Sequence, residues 1–396
     1  MEVNNTPNAT RIHIAIYGCR NSGKSSLINA ITGEQTSVVS DLAGTTTDTV
    51  ARAMELHGIG AILLIDTPGF DDEGEIGAMR VERARRTTQR TDIAILLCEE
   101  GDMTQEKLWF DELRSHSIPV IPVINKMDIR GNVSTLKSSI ESLFGESPLC
   151  LSAKKGIDIE VIREAILRKM EPDSTERFIT AGLVTKGDVV VLVMPQDPQA
   201  PKGRLILPQV QTLRELLDIG AITVSCTTTE LQQTLSSLAL PPKLIITDSQ
   251  VFKQVYALKP EQTLLSSFSV LMSGYKGDIR SFIDGAKAIE SLTSESRVLV
   301  AEACAHAPIT EDIGRVKLPR MLRQKVGEEL VVDVVAGRNF PTDLSPYSLI
   351  IHCGGCMFNR KYMISRIEQA KSAGVPITNY GVAIAHISGI IDKVVW

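Results

Sequence analysis

Short apolar runs alternate along the chain with stretches whose apolar positions recur every three or four residues. The first run, Ile12–Tyr17, ends in glycine and leads through a small-residue loop into a helical pattern at Ser25–Ile31. Strand-like runs follow at Thr49–Leu56, Ala61–Ile65, Ile93–Cys98, Pro119–Ile124 and Leu149–Leu151, with helical patterns at Gln105–Arg114, Ser134–Leu143 and Ile157–Lys169. Strands alternating with helices predict a mostly parallel sheet covered on both faces. His57-Gly58-Ile59-Gly60 reads as the tight turn of one antiparallel hairpin within it.

The polar stretch Glu171–Glu176 marks a boundary. A second series follows: Asp188–Met194, Val210–Leu217, Ala221–Cys226, Glu230–Ser237, Lys243–Ile246, Gln250–Ala257 and Phe268–Met272. It reads as four short strands with helices between them, and it has no Gly-rich fingerprint. A third block opens near Gly274 with a helix at Asp278–Ile289. Strands at Arg297–Ala301, Leu330–Val335 and Ser348–Ile351 and a helix at Arg360–Ser372 continue it. The expectation is an α/β protein of three domains, 1–172, 177–272 and 273–396, the last two smaller than the first.

Composition narrows the class. The chain has 396 residues, 43% hydrophobic and 22% charged, with a formal charge of -5. That balance disfavours a general nucleic-acid binder or a basic membrane-surface protein. Residues 1–11 lack a basic-then-apolar leader pattern, and runs such as Val189–Met194 fall far short of the 18 or so apolar residues of a membrane helix. A cytoplasmic protein without nucleic acid or membrane among its partners is expected. Seven cysteines, thinly spread, argue against a disulfide framework, so clustered thiols read as metal ligands or reactive groups.

Gly18-Cys19-Arg20-Asn21-Ser22-Gly23-Lys24-Ser25 has the spacing of a phosphate-cradling loop, between a strand and a helix. Its backbone N–H groups and the helix N-terminus meet phosphate oxygens. Lys24 would reach the β- and γ-phosphates, the Ser25 hydroxyl would ligate Mg²⁺, and Ser26 completes the loop. Asp66-Thr67-Pro68-Gly69 places a carboxylate for the Mg²⁺ shell and the Gly69 N–H for the γ-phosphate. Asn125-Lys126-Met127-Asp128 and Ser152-Ala153-Lys154 each follow a strand. Asp128 can accept both the N1–H and the exocyclic amine of guanine, a donor pair adenine lacks, so the nucleotide is GTP. In Gly44-Thr45-Thr46-Thr47-Asp48, Thr46 is the choice for a switch threonine on Mg²⁺, with Thr45 and Thr47 as alternatives.

With Asn21 in the loop, this set resembles the TrmE-like branch of P-loop GTPases, whose mixed sheet is mostly parallel. The resemblance implies that Asn21 helps hold a potassium ion that stabilises charge during hydrolysis. Phe70 stands where Ras-like enzymes use glutamine to orient water, which implies slow hydrolysis. The acidic run Asp71, Asp72, Glu73 and Glu75 is a possible source of a replacement group, and for each singly the reading is a solvated loop.

Further on, Cys304-Ala305-His306 follows one strand and His352-Cys353-Gly354-Gly355-Cys356 follows another. If both strands are parallel members of one sheet, the thiols and imidazoles emerge at its C-terminal edge, where α/β folds bind ligands. Cys98, Cys150 and Cys226 lie in or at the ends of apolar strands and read as small buried residues.

GTPase domain, motif-free middle and Cys-x-His…His-Cys-x-x-Cys end together resemble the HydF family, the GTPase maturation factors of iron-only (FeFe) hydrogenases. The resemblance implies a 4Fe-4S cluster on Cys304, Cys353 and Cys356. It also implies a scaffold that receives a transient di-iron precursor from two radical-SAM maturases and passes it to apo-hydrogenase. Because no fourth cysteine lies beyond Gly274, one iron needs another ligand, with Glu311, His352 and His306 as candidates. The short sheet of the middle domain leaves edges that a homodimer would cover. The competing readings are a regulatory GTPase with a structural zinc site and an RNA-modification-type GTPase.

Overall fold

In a computed structural model, the structure describes residues 6–33, 50–70, 74–170, 177–195, 205–303, 312–337 and 339–396. The chain divides into two compact units, Met1–Ser174 and Thr175–Trp396.

In the first unit the elements run β1 (Ile12–Gly18), α1 (Lys24–Thr32), β2 (Ala51–Leu56), β3 (Gly60–Asp66), α2 (Gly74–Thr88), β4 (Ile93–Cys98) and α3 (Thr104–Ser115). Then come β5 (Val120–Ile124), α4 (Ser134–Phe144), β6 (Leu149–Cys150) and α5 (Glu160–Lys169). The sheet order is β2-β3-β1-β4-β5-β6, and β2 alone is antiparallel, joined to β3 by the expected turn. Central strands are buried along nearly their whole length because both faces are covered. Alternate residues serve opposite cores. Ala15, Tyr17, Leu63 and Leu96 pack with Trp109, Phe110 and Leu113 of α3. Ile14, Ile16, Leu64 and Ile95 pack with Leu27 and Ile28 of α1 and with Ile162 and Ile166 of α5. Helix α2 is an addition to the expected elements. Among its described side chains only Ala84, Thr87 and Thr88 are buried, so the buried face is largely threonine.

The second unit begins with β7 (Val189–Val193), α6 (Leu207–Ile219), β8 (Ile222–Cys226), α7 (Leu231–Ser237), β9 (Leu244–Thr247), α8 (Phe252–Leu258), β10 (Leu264–Ser267) and α9 (Phe268–Lys276). It continues with α10 (Ile279–Ala286), β11 (Arg297–Glu302), α11 (Leu318–Val326), β12 (Val331–Ala336), β13 (Leu349–His352), α12 (Arg360–Ser372), β14 (Ile377–Asn379) and α13 (Tyr380–Ile387). Two parallel four-stranded sheets result, ordered β10-β9-β7-β8 and β12-β11-β13-β14. Val191, Ile245 and Leu265 of the first share one hydrophobic core with Val298, Leu299 and Ile350 of the second. The boundary expected at 272/273 falls within α9.

Phe268–Met272 corrects the sequence reading. The fourth strand lies just before it, and this run is the start of α9, where the Ser267 hydroxyl accepts the Val270 N–H at 3.1 Å. Five residues, four of them apolar, have no period that separates a buried strand from a buried helix, and the capping serine decides. Among the described residues, no helix is long and apolar enough to cross a membrane.

Candidate functional site

The phosphate loop leaves β1 at Gly18 and enters α1 at Lys24. Gly23 has φ +97°, and a Cβ there would lie 2.3 Å from Asn125 Nδ2, so only glycine fits. Asn21 is exposed and holds the left-handed φ of 61° that asparagine tolerates better than most residues. Lys24 is 9% exposed, and its Nζ donates to the carbonyls of Gly18 at 2.8 Å and Cys19 at 2.7 Å. The ammonium is thereby fixed across the loop where β- and γ-phosphates bind. Ser25 Oγ donates to Asp66 Oδ2 at 2.5 Å, joining the loop to the end of β3. Burial pushes the Asp66 carboxyl up, while the Ser25 hydroxyl and the Lys24 charge oppose it. Ser25 and Asp66 would hold Mg²⁺, which neutralises charge on the transferring phosphate. Thr67 Oγ1 donates to the Ile16 carbonyl at 2.6 Å and pins the turn carrying Gly69, which is buried, to β1. Thr46, with the rest of 44–48, lies outside the described residues, as do Asp71, Asp72 and Glu73.

Asn125 ties three motifs together. Its Nδ2 donates to the Ser22 carbonyl at 3.1 Å and its Oδ1 accepts the Ala153 N–H at 3.0 Å. Ser22 and Ser152 are buried, and Ser26 and Lys154 are exposed. Ser152 Oγ donates to Asp128 Oδ1 at 2.5 Å, which holds that carboxyl below the usual carboxylate range and keeps it ionised to accept guanine. Lys126 has φ 65°, and its Nζ pairs with Glu99 at 3.0 Å. Phe70 is 4% exposed and stacks on Trp109 with ring centroids 5.7 Å apart. It is a core residue and faces no water-orienting role.

The thiol site stands at the edge of the second sheet of the second unit. Strands β11 and β13 are parallel neighbours with Ala301 opposite His352, so the chain leaves both at the same edge. The Cys353 N–H donates to the Ala301 carbonyl at 2.8 Å, and the Ala303 N–H donates to Cys353 Sγ at 3.0 Å. Gly355 has φ +63°, and a Cβ there would meet Met363 Sδ at 2.4 Å, so the turn between the two thiols needs glycine. Burial pushes the Cys356 thiol up, with Lys276 pulling the other way. Cys304, His306 and Glu311 lie outside the described residues.

His352 is fully buried, and both ring nitrogens are committed. Arg366 can only donate, so its Nη1 donates to His352 Nε2 at 2.7 Å, and Nδ1–H then donates to the Cys353 carbonyl at 2.7 Å. Burial and the Arg366 charge lower its pKa to about 3 and keep it neutral. Neither nitrogen is offered to the thiols. Among the described residues no three His, Cys, Asp or Glu side chains converge on one point. The described donors, two thiols with an N–H···S bond from the residue preceding Cys304, suit an iron–sulfur group, whose sulfurs take such bonds. The other cysteines separate from this site. Cys98 is buried, Cys150 and Cys226 are half-buried on strands, and Cys19 Sγ donates to Glu106 at 3.5 Å. Sequence reasoning missed Lys276, Arg360 and Arg366, described below, because a basic residue on a helix is ordinarily a solvated one.

The phosphate loop, the Asp-Thr-Pro-Gly turn and the guanine-reading loops on one mixed sheet define a P-loop GTPase that hydrolyses GTP with Mg²⁺. Residues 13–126 match the family model of the 50S ribosome-binding GTPase. Residues 179–277 match the hydrogen maturase F dimerization domain, and residues 280–396 match its tetramerization domain. With both models matched in order behind a GTPase domain, the chain belongs to the hydrogen maturase F family and carries its GTPase, dimerization and tetramerization domains.

Among individual proteins, the chain is 31% identical over 169 residues to the tRNA modification GTPase MnmE of Caldicellulosiruptor saccharolyticus, covering 42% of this chain and 36% of that one. It is 34% identical over 172 residues to the GTPase Der of Wolinella succinogenes, covering 41% and 36%. The chain thus spans about a third of the length of these relatives. Among solved structures, Era bound to MgGDPNP and a segment of 16S ribosomal RNA is 22% identical, covering 54% of this chain and 91% of that one, with a TM-score of 0.35. An Era from Aquifex aeolicus bound to GDP and aluminium fluoride is 20% identical, covering 64% and 99%, also with a TM-score of 0.35.

Proposed function

We propose that the chain is a cytoplasmic, potassium-stimulated GTPase scaffold that carries a 4Fe-4S cluster on Cys304, Cys353 and Cys356. In this reading it assembles or delivers a di-iron precursor, supplied through two radical-SAM maturases, to apo FeFe-hydrogenase. The observation that carries the reading is the hydrogen bond from the Ala303 N–H to Cys353 Sγ. It sets the backbone one residue before Cys304 against the sulfur of the Cys353-x-x-Cys356 loop. With His352 held by Arg366, Glu311 and His306 remain as the fourth ligand, and either is displaceable by an incoming metal fragment. The GTPase cycle times partner exchange, and Asn21 holds the potassium ion.

Anaerobic reconstitution followed by iron, sulfide and zinc analysis tests this. Wild-type protein should be brown with about four irons per chain, and changing any of the three cysteines to serine should abolish or cripple loading. Glu311→Ala and His306→Ala should keep the cluster, and the variant lacking the true fourth ligand should change the EPR spectrum. Colourless protein with one zinc per chain would overturn the reading and establish a structural zinc site.

A further inference from the structure

Helix α9 ends against the cysteine loop. Its last residue, Lys276, is 3% exposed, and its Nζ donates to the carbonyls of Phe358 at 2.9 Å, Cys356 at 3.1 Å and Gly355 at 3.5 Å. In return, Arg360 at the start of α12 donates from Nη1 to the carbonyls of Gly277 at 2.7 Å and Tyr275 at 3.3 Å. The end of α9 and the loop that carries Cys356 are therefore clamped from both sides. A second cation is buried nearby. Arg366 is 2% exposed, with its guanidinium 4.6 Å from the ring centroid of Phe358 and 4.7 Å from those of Phe340 and Tyr362. It donates to the Gly337 carbonyl at 2.6 Å, and its Nε has no hydrogen-bond partner among the described residues.

Among the described residues neither cation pairs with a carboxylate. Carbonyls, rings and the His352 imidazole meet most of their hydrogen-bonding capacity, yet these neutral groups do not neutralise two buried charges. Lysine and arginine are almost never fully buried without an anionic partner. The thiols of Cys356 and Cys353 lie within electrostatic reach of Lys276, and Arg366 also acts on Cys353. A thiolate-bound metal group would bring negative charge beside both cations.

We infer that Lys276 is a positioning residue of the thiol site. Its ammonium fixes the carbonyls of the Gly355–Phe358 turn and, with Arg366, supplies the positive charge against which an anionic iron–sulfur cluster is held. This rests on the cluster reading above. A fixed positive charge favours the more negative, reduced cluster, so removing it lowers the midpoint potential.

The test uses the full chain, reconstituted anaerobically, with iron content and midpoint potential as readouts. Lys276→Met keeps the apolar stem and removes the charge. It should shift the oxidised-to-reduced ratio at least about tenfold, a fall of about 59 mV for a one-electron couple. Lys276→Arg should return the potential toward the wild-type value. If Lys276→Met fails to fold by circular dichroism, Lys276→Gln is read in its place. A charge-free variant that loads fully and titrates at the wild-type potential overturns the inference. So does failure of Lys276→Arg to load while Lys276→Met loads. Wild-type protein that takes up no cluster overturns the cluster reading instead, and the inference falls with it.

Discussion

Lys24 and Asp128 make separable decisions in the GTPase unit. Lys24 is held by two carbonyls of its own loop, so its ammonium is in place before nucleotide arrives and costs little reorganisation when charge develops. Lys24→Ala should lower GTP hydrolysis about 10²–10³-fold or more, measured as phosphate release at saturating nucleotide. Asp128→Asn replaces an acceptor with a donor and should move preference from GTP to XTP, read by competition binding. Retained GTP preference would mean that guanine is read elsewhere. Potassium should raise turnover well above the rate in sodium, and Asn21→Ala should remove the difference. Equal rates in both salts for wild-type protein would exclude a cation site at Asn21. These residues were legible because their chemistry demands fixed spacing: a glycine loop, a lysine, an acid after a strand. The commitment of His352 was not. It depends on Arg366, fourteen positions away on another element, and no local pattern announces that pair.

Elements follow the same rule at larger spacing. Helix α12 runs over Arg360–Ser372, where the apolar period predicts it, and the interior strands β4 and β5 lie where continuous apolar runs predict them. Helix α2 was not legible, because the side it buries is Ala84 with two threonines, Thr87 and Thr88, among its described side chains, and threonines do not mark an apolar stripe. Helix α9 was misread because four of its first five residues are apolar and its cap is a single serine. Caps are also where elements are most easily tested. Asp278 caps α10, accepting the Ser281 N–H at 3.2 Å, and its carboxylate also binds Lys371 of α12 at 3.0 Å. Burial pushes this carboxyl up, but the Ser281 and Lys371 donors outweigh it and bring it to about 2. Asp278→Ala should cost about 1 kcal/mol in denaturant unfolding. Because the folded pKa is depressed, the stabilisation is present above about pH 4, the ordinary carboxylate value, and fades as pH falls toward the folded value. An unchanged unfolding midpoint at neutral pH would show that the cap contributes nothing.

At the scale of the whole molecule, the two edges of the first sheet in the second unit are unlike. On β10 the edge is occupied by the chain itself: the Val395 N–H donates to the Leu265 carbonyl at 2.9 Å and Ser266 Oγ donates to the Val395 carbonyl at 2.7 Å. On β8 pairing is to β7 alone, and no strand lies on its other side among the described residues. On that strand Ile222 is 56% exposed, and on α6, the helix that leads into it, Leu217 is 60% and Val210 46% exposed. A bare strand edge flanked by apolar side chains is a site for pairing with another chain, and monomeric proteins usually blunt such edges with charge or cover. The matched family model carries dimerization in its description over 179–277, the segment that holds β8 and α6. We therefore expect a homodimer in which the β8 edges of two copies meet about a twofold axis, each burying the other's Ile222 and Leu217. Wild-type protein should run as a dimer or larger even multimer in light scattering at micromolar concentration. Ile222→Lys with Leu217→Lys places like charges opposite each other across that axis. The double variant should halve the mass while leaving GTP hydrolysis at the wild-type rate. A double variant with unchanged mass would move the interface away from β8, and monomeric wild-type protein would refute the dimer itself.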